Sequence, residues 1–218
     1  MRLLLMALII AMAAGLAYAI LSLPAESAGL SVYTTENIAI SGVTNPVTAV
    51  LLNYRAYDTF LELGVLLLAL LGVWSLGSTA TASQRPSAPG PVLDNLARVL
   101  VPILIVVAGY LFWAGAYIPG GAFQAGAVLG AAGVLLILAG WRINHRLVGL
   151  PLRISLVLGL VVFAVVGTLF MLTDRQFLEF PPQYAGVLIL LIEGLATLSI
   201  GIALAALFLG ADPEEDDN

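Results

Sequence analysis

The stretch that decides the fold is Ala185–Leu209, AGVLILLIEGLATLSIGIALAALFL. It is 25 residues long and carries one charge, Glu193. A helix needs about 20 mostly apolar residues to cross a bilayer, so this run is long enough to span. Five further runs share its character, roughly Leu3–Leu23, Thr59–Leu76, Val99–Tyr117, Gln124–Trp141 and Ile154–Leu172. The expected fold is an all-α polytopic membrane protein of about six transmembrane helices.

Composition agrees. The 218 residues are 61% hydrophobic and only 10% charged. Soluble domains are nearer about 45–50% apolar and about 25% charged. A chain this short cannot bury that much apolar surface in a core of its own, whereas a bilayer solvates it. There is no cysteine, which removes disulfides, iron–sulfur ligation and thiol chemistry. All eight basic residues are Arg. The net charge of −5 comes from the tail Asp212-Pro213-Glu214-Glu215-Asp216-Asp217, without whose five carboxylates the chain is neutral. No basic face for nucleic acid is present.

Two segments between the spans are long. The first, Pro24–Asp58, opens polar and then reads Asn45-Pro46-Val47-Thr48-Ala49-Val50-Leu51-Leu52-Asn53-Tyr54-Arg55. Asn45 and Pro46 suit a helix start, and the following run is too short to span. It predicts a short helix on the membrane surface or re-entering it. The second, Gly77–Asp94, is small, polar and Pro-rich, as linkers are. The expected organisation is a two-helix module at 1–76, a linker at 77–94, a four-helix domain at 95–210 and an acidic tail at 211–218. Met1–Ala19 also has signal-peptide marks: Arg2, an apolar run to Ala17, and Ala17-Tyr18-Ala19. We read it as an uncleaved first helix.

Six spans put both termini on one side, together with Arg2, Arg85, Arg98, Arg142, Arg146 and Arg153, against Arg55 and Arg175 on the other. The positive-inside rule then predicts cytoplasmic termini in the inner (plasma) membrane.

Glu193 is the leading candidate for chemistry, about eight residues inside the last span. A carboxylate at the membrane centre costs about 2.5–3.5 kcal/mol or more and faces protein or a wet cavity. It either handles protons or cations or serves as a structural carboxylate bonded to a neighbouring helix. Glu62 is the second candidate, one helical turn after Asp58 and on the same face. Asp58 is expected to pair with Arg55 at the surface. Every Arg lies near a helix end, so Glu62 and Glu193 have no cationic partner in their own chain. They are protonated or find partners on other chains. Pro119-Gly120-Gly121-Ala122-Phe123-Gln124-Ala125-Gly126 predicts a tight reversal, and Gly126 with Gly130 and Gly133 predicts close helix packing. We read Gly120, Gly121 and Gly126 as a packing turn; turn carbonyls lining an ion path are the alternative. His145 reads as a solvated loop residue. No metal or cofactor site is expected. Walker motif, dinucleotide fingerprint and nucleophile–base pair are all absent from the sequence, so the chain is not expected to be an enzyme.

With these residues in view, Val99–Leu209, with its Pro-Gly-Gly-Ala-Phe-Gln-Ala-Gly turn and its Glu193-Gly194 step, resembles the MnhB/MrpB subunit family of Mrp-type multisubunit Na+/H+ antiporters. That family's turn usually has a third glycine where this chain has Ala122. Asn45–Leu76, with Arg55-x-x-Asp58-Thr59-x-x-Glu62, resembles the C-terminal end of the large MrpA subunit and the MbhE subunit of membrane-bound hydrogenases. The resemblance implies a fusion of two modules within a complex that exchanges Na+ for H+, or that couples redox or CO2-related chemistry to ion flow. It implies MrpA-, MrpC-, MrpD-, MrpE-, MrpF- and MrpG-like neighbours in the bilayer. Asp58, Glu62 and Glu193 fall on the family's acidic positions. The rival reading is a structural or assembly subunit through which no ion passes.

Overall fold

In hydrocarbon each backbone N–H and C=O must be satisfied within its own segment, so apolar runs of membrane length become helices. The computed structural model describes residues 2–23, 30–76, 90–141, 149–172 and 175–210, and they contain helices and turns but no strand. The linker residues 77–89, the loop holding Arg142, His145 and Arg146, and the acidic tail lie outside the described residues.

Two units are resolved, Met1–Tyr33 and Thr34–Asn218. The first consists mainly of α1, Arg2–Leu21, whose described side chains are apolar along its length. The boundary falls inside a short helix, α2, Ser31–Asn37.

The second unit holds the rest. Pro46–Ala49 forms α3, with Pro46 at its first position and the Asn45 side chain accepting from Val47 N–H at 3.0 Å. This is the expected helix start. The turn then widens, and Val50–Tyr54 adopts π-helical bonding that ends with Arg55 N–H on Val50 C=O at 2.7 Å. Thr59 Oγ1 reaches back to Leu51 C=O at 2.6 Å, which ties this segment to α4, Ala56–Ser75.

The remaining helices are α5, Pro91–Ala114; α6, Ala122–Leu138; α7, Leu150–Met171; and α8, Pro182–Leu209. Five helices have the length and apolarity to cross a membrane: α1, α4, α5, α7 and α8. The sixth apolar run, Gln124–Trp141, forms the shorter α6 of 17 residues, about 25 Å against a hydrocarbon core of about 30 Å. It stops at Leu138 because Ala139 and Gly140 leave the helix, Gly140 with φ +73°. Helix α5 starts earlier than hydropathy suggests, because Gly90-Pro91 opens a polar first turn. There Asp94 bonds to Arg98 Nε at 2.9 Å and Trp141 Nε1 at 3.2 Å.

Helix α8 is the centre of the unit. It packs along α6 and α7, while α4 leans on α7 and α8, and α5 on α6. Ile189, Ile192 and Ile200 of α8 and Phe163 of α7 are fully buried. The α6–α8 crossing is close at the expected glycines. A Cβ on Gly126 would lie 2.7 Å from Ile200 Cγ2 and 3.2 Å from Thr197 O, and one on Gly130 would lie 3.2 Å from Gly201 O. Without a hydrophobic drive between helices in lipid, such backbone proximity supplies much of the packing energy. At one end of the bundle, Tyr57 and Phe60 of α4 meet the Phe177 ring at centroid distances of 6.2 and 5.8 Å. The segments bearing Arg55 and Arg175 therefore lie close together.

Candidate functional site

The site is built where α5 ends. After Ala114 the chain reverses through Gly115–Gly121, and Gly121 N–H returns to Leu111 C=O at 2.9 Å. A helix end leaves carbonyls without intrahelical donors. Here the N-terminal segment of the same unit supplies them. Asn45 Nδ2 donates to Gly115 C=O (3.0 Å) and Ile118 C=O (2.9 Å), Thr48 Oγ1 to Gly115 C=O (2.5 Å), and the Thr44 and Asn45 N–H groups to Ala116 C=O (3.0 and 3.1 Å). The carbonyls of Gly115, Ala116 and Ile118 are thus occupied.

The other end of the turn starts α6. Its cap residue, Gly121, has φ +114° and no side chain with which to cap the helix. A side chain from α8 lies at that end: Glu193 is 2% exposed, and its carboxylate faces the start of α6. The point where a Cβ on Gly121 would sit is 2.8 Å from Glu193 Oε1 and 3.7 Å from Gln124 Oε1. The positive end of α6 favours a carboxylate there, by up to about 2 kcal/mol in partly buried geometry. That is comparable to the about 1–3 kcal/mol cost of an unsatisfied buried polar atom. The offset is needed, since Glu193 Oε2 is buried and has no hydrogen-bond partner among the described residues.

Glu193 lies deeper in its helix than expected. Helix α8 begins at Pro182 rather than near Ala185, so Glu193 is about 16 Å along it. The short α6 therefore starts at that level, well inside the length of α8. The Phe112 ring of α5 stands against Gly194, 3.4 Å from where its Cβ would be, and Thr197 Oγ1 bonds to Glu193 C=O at 2.7 Å.

The three turn glycines have separate tasks. Gly120 sits against α5, where a Cβ would be 2.5 Å from Leu111 O. Gly121 faces Glu193, and Gly126 faces α8. The sequence flagged all three but did not link the turn to Glu193. Ala122, where the resembled family usually has a third glycine, is buried in the core.

The other two acidic candidates lie elsewhere on the unit. Asp58 pairs with Arg55, both partly exposed, as expected. Glu62 is exposed on α4 and forms no hydrogen bond or ion pair among the described residues. It is not enclosed by its own chain, whereas Glu193 is. No group of three or more His, Cys, Asp or Glu side chains with metal-holding geometry occurs among the described residues.

Comparison with known proteins places this architecture. Residues 92–211, more than half of the chain, match the family described as "Domain related to MnhB subunit of Na+/H+ antiporter". Residues 1–87 match the MbhE family, that of the E subunit of MBH. The antiporter subunit mnhB2 of Staphylococcus aureus strain Newman is 32% identical over 105 residues, 47% of this chain and 72% of that relative. The whole chain superposes on a subunit of the membrane-bound sulfane sulfur reductase, an archaeal respiratory membrane complex, with TM-score 0.70 and 26% identity. That match covers 96% of this chain and 97% of the other. It shares its fold with part of the Mrp complex from Dietzia sp. DQ12-45-1b, with TM-score 0.67 and 24% identity, covering 97% of this chain and 26% of that one. The chain belongs to the family of domains related to the MnhB subunit of Na+/H+ antiporters.

Proposed function

We propose that this chain is a membrane subunit of an Mrp-type multisubunit Na+/H+ antiporter, and that Glu193 takes part in its proton or cation path. One observation carries the second part: a buried carboxylate with one side held at the α6 N-terminus and Oε2 left without a partner. A group arranged in this way is ready for a proton, a small cation or a donor from a neighbouring subunit. Glu62, exposed on a span, and Asp58 beside it extend the acidic set towards a neighbouring subunit. The chain is read as a transport subunit rather than a catalytic one, organised as 1–76, 77–94, 95–210 and 211–218. Its partners are the antiporter subunits that the family implies.

The test is Glu193→Gln in the assembled complex, reconstituted in vesicles and assayed for Na+-driven proton movement. A fall in turnover with normal complex yield is expected. Unchanged rate and pH dependence would exclude a direct role. Loss of yield with unchanged turnover per complex would instead support the assembly reading.

A second reading has support of its own. The superposition on a subunit of an archaeal respiratory complex covers nearly all of both chains. It favours an antiporter-like module attached to redox chemistry. Purifying the chain from its native membrane and identifying the associated subunits separates the two.

The arginine distribution supports cytoplasmic termini. Because the chain has no cysteine, single Cys substitutions at Ser83, Gln176 and Asn218 give a clean topology assay with a membrane-impermeant thiol reagent. Ser83 and Asn218 should be labelled only from the cytoplasmic side, and Gln176 only from the opposite one.

A further inference from the structure

We infer that the groove between the end of α4 and the start of α7 seats one phospholipid with an anionic headgroup, its phosphate on Arg153 and an acyl chain along the leucines. The groove has a volume of about 410 Å3 and lies within the second unit. Its lining changes character along its length. Trp74 and Ser75 stand in the last turn of α4, and Arg153 stands in the first turn of α7. Leu71 and Leu67 lie one and two turns back along α4, and Leu156 lies one turn further along α7. From Ser75 to Leu67 the helix covers about 12 Å.

The inner side is apolar and closed. Leu156 joins Leu70, Ala203 and Ala206 in a packed cluster, so the groove leads no deeper into the bundle. Trp74 serves as a wall, because its Nε1 is buried and faces no partner among the described residues. Ser75 Oγ already donates to Gly72 C=O at 2.8 Å. Among the described lining residues, Arg153 carries the one charge. Arg153 and Leu71 are both exposed, which leaves the groove open to the bilayer. A guanidinium presents five N–H donors, so it can take a phosphate by two bonds beside another partner.

One class of occupant fits this gradient. The surface of a membrane span is covered by lipid tails or by another helix. A tail follows the leucines and ends in a phosphate at the level of the helix ends, where Arg153 lies. Basic pockets between transmembrane helices hold anionic headgroups in this way. An apolar helix offers a guanidinium nothing. The sequence around Arg153 is basic as well: Arg142, Arg146 and Arg153 fall within twelve residues, and no acidic residue occurs between Asp94 and Asp174. A zwitterionic headgroup brings its own cation, which Arg153 repels.

The test uses the assembled complex in vesicles of equal parts phosphatidylglycerol and phosphatidylcholine. A trace of one lipid or the other carries a photoactivatable diazirine in its acyl chain, and labelled peptides are mapped by mass spectrometry. Phosphatidylglycerol should label segments 67–75 and 153–156 roughly tenfold more than phosphatidylcholine, the ratio that about 1.4 kcal/mol gives. Arg153→Gln should abolish that preference, and Arg153→Lys, which keeps the charge, should retain most of it. Leu71→Trp, which fills the groove, should lower labelling by both lipids. Equal labelling by the two lipids in wild type would overturn the inference. Labelling by neither would do so too, since another subunit or the linker 77–89 would then cover the groove. Loss of the preference in excess inorganic phosphate would also overturn it, since a free anion would then be what the groove holds. The wild-type comparison needs no variant, so it decides even if Arg153→Gln fails to assemble.

Discussion

A Cβ on Gly121 would stand 2.8 Å from Oε1 of Glu193, so the first residue before α6 and a carboxylate midway along α8 share one small space. The turn that caps α6 and the acidic residue in the longest helix are therefore a single structure. Changes to either one should be felt at the other.

Removing the carboxylate should weaken the start of α6. Glu193→Leu deletes the acceptor that faces the α6 N-terminus, and lost caps cost about 0.5–2 kcal/mol. The purified complex is expected to melt at a lower temperature than wild type, while Glu193→Gln, which retains an acceptor oxygen, should melt close to it. Differential scanning fluorimetry in detergent checks this. Equal melting of Glu193→Leu and wild type would show that the contact contributes nothing to stability.

The bundle should be intolerant of volume at Gly126, in the α6–α8 crossing, and indifferent to it at Gly109 of α5. A side chain at Gly126 meets Ile200 and the Thr197 carbonyl, whereas nothing lies within 4 Å of a Cβ on Gly109. Overpacking costs about 1–3 kcal/mol. Gly126→Val should reduce the yield of intact complex on native gels. Gly109→Ala should leave it equal or improve it, since Ala is the better helix former.

Asn45 should matter more than its loop position suggests. Its amide serves the carbonyls of Gly115 and Ile118, and its carbonyl caps α3. Asn45→Ala takes the partner from the Ile118 carbonyl and the Val47 N–H, while Gly115 keeps Thr48, and an unpaired buried group costs about 1–3 kcal/mol. Faster limited proteolysis of the purified complex is expected, and the cut sites would be mapped by mass spectrometry. Thr48→Val, which removes one donor to Gly115, should produce a smaller effect in the same direction.

Asp58 and Glu62 should separate cleanly. The Arg55–Asp58 pair is solvent-accessible, and such pairs are worth about 0–1 kcal/mol. Asp58→Asn should barely move the melting temperature. Glu62→Gln touches no partner in its own chain, so thermal stability should again hold. If Glu62 serves the ion path, turnover per complex falls; if it serves assembly, native-gel yield falls instead.

Much of the architecture was legible from local sequence. Length and apolarity alone locate α4, α7 and α8 to within a few residues. Asn45-Pro46 marks the start of α3, and the spacing of Gly126 and Gly130 marks a face for close packing. These are short-range features, since helix formation in an apolar medium satisfies each segment's own backbone. Helix α5 was read as starting at Val99 because hydropathy does not register a polar first turn. The shortness of α6 escaped for a similar reason: an apolar composition continues through Ala139 and Gly140 although the helix does not.

The sequence by itself determined a bundle of membrane-length helices with one carboxylate deep in the last of them. What that carboxylate touches, and which acidic residue the chain encloses, was decided by tertiary structure alone. Periodicity states which residues share a helix face but not which neighbour that face meets. Glu193 and Glu62 look alike in sequence, each a lone acid in an apolar run. One points into the α6–α8 seam and the other out from α4, because the glycines of α6 bring its N-terminus against α8 while no helix of this unit covers Glu62.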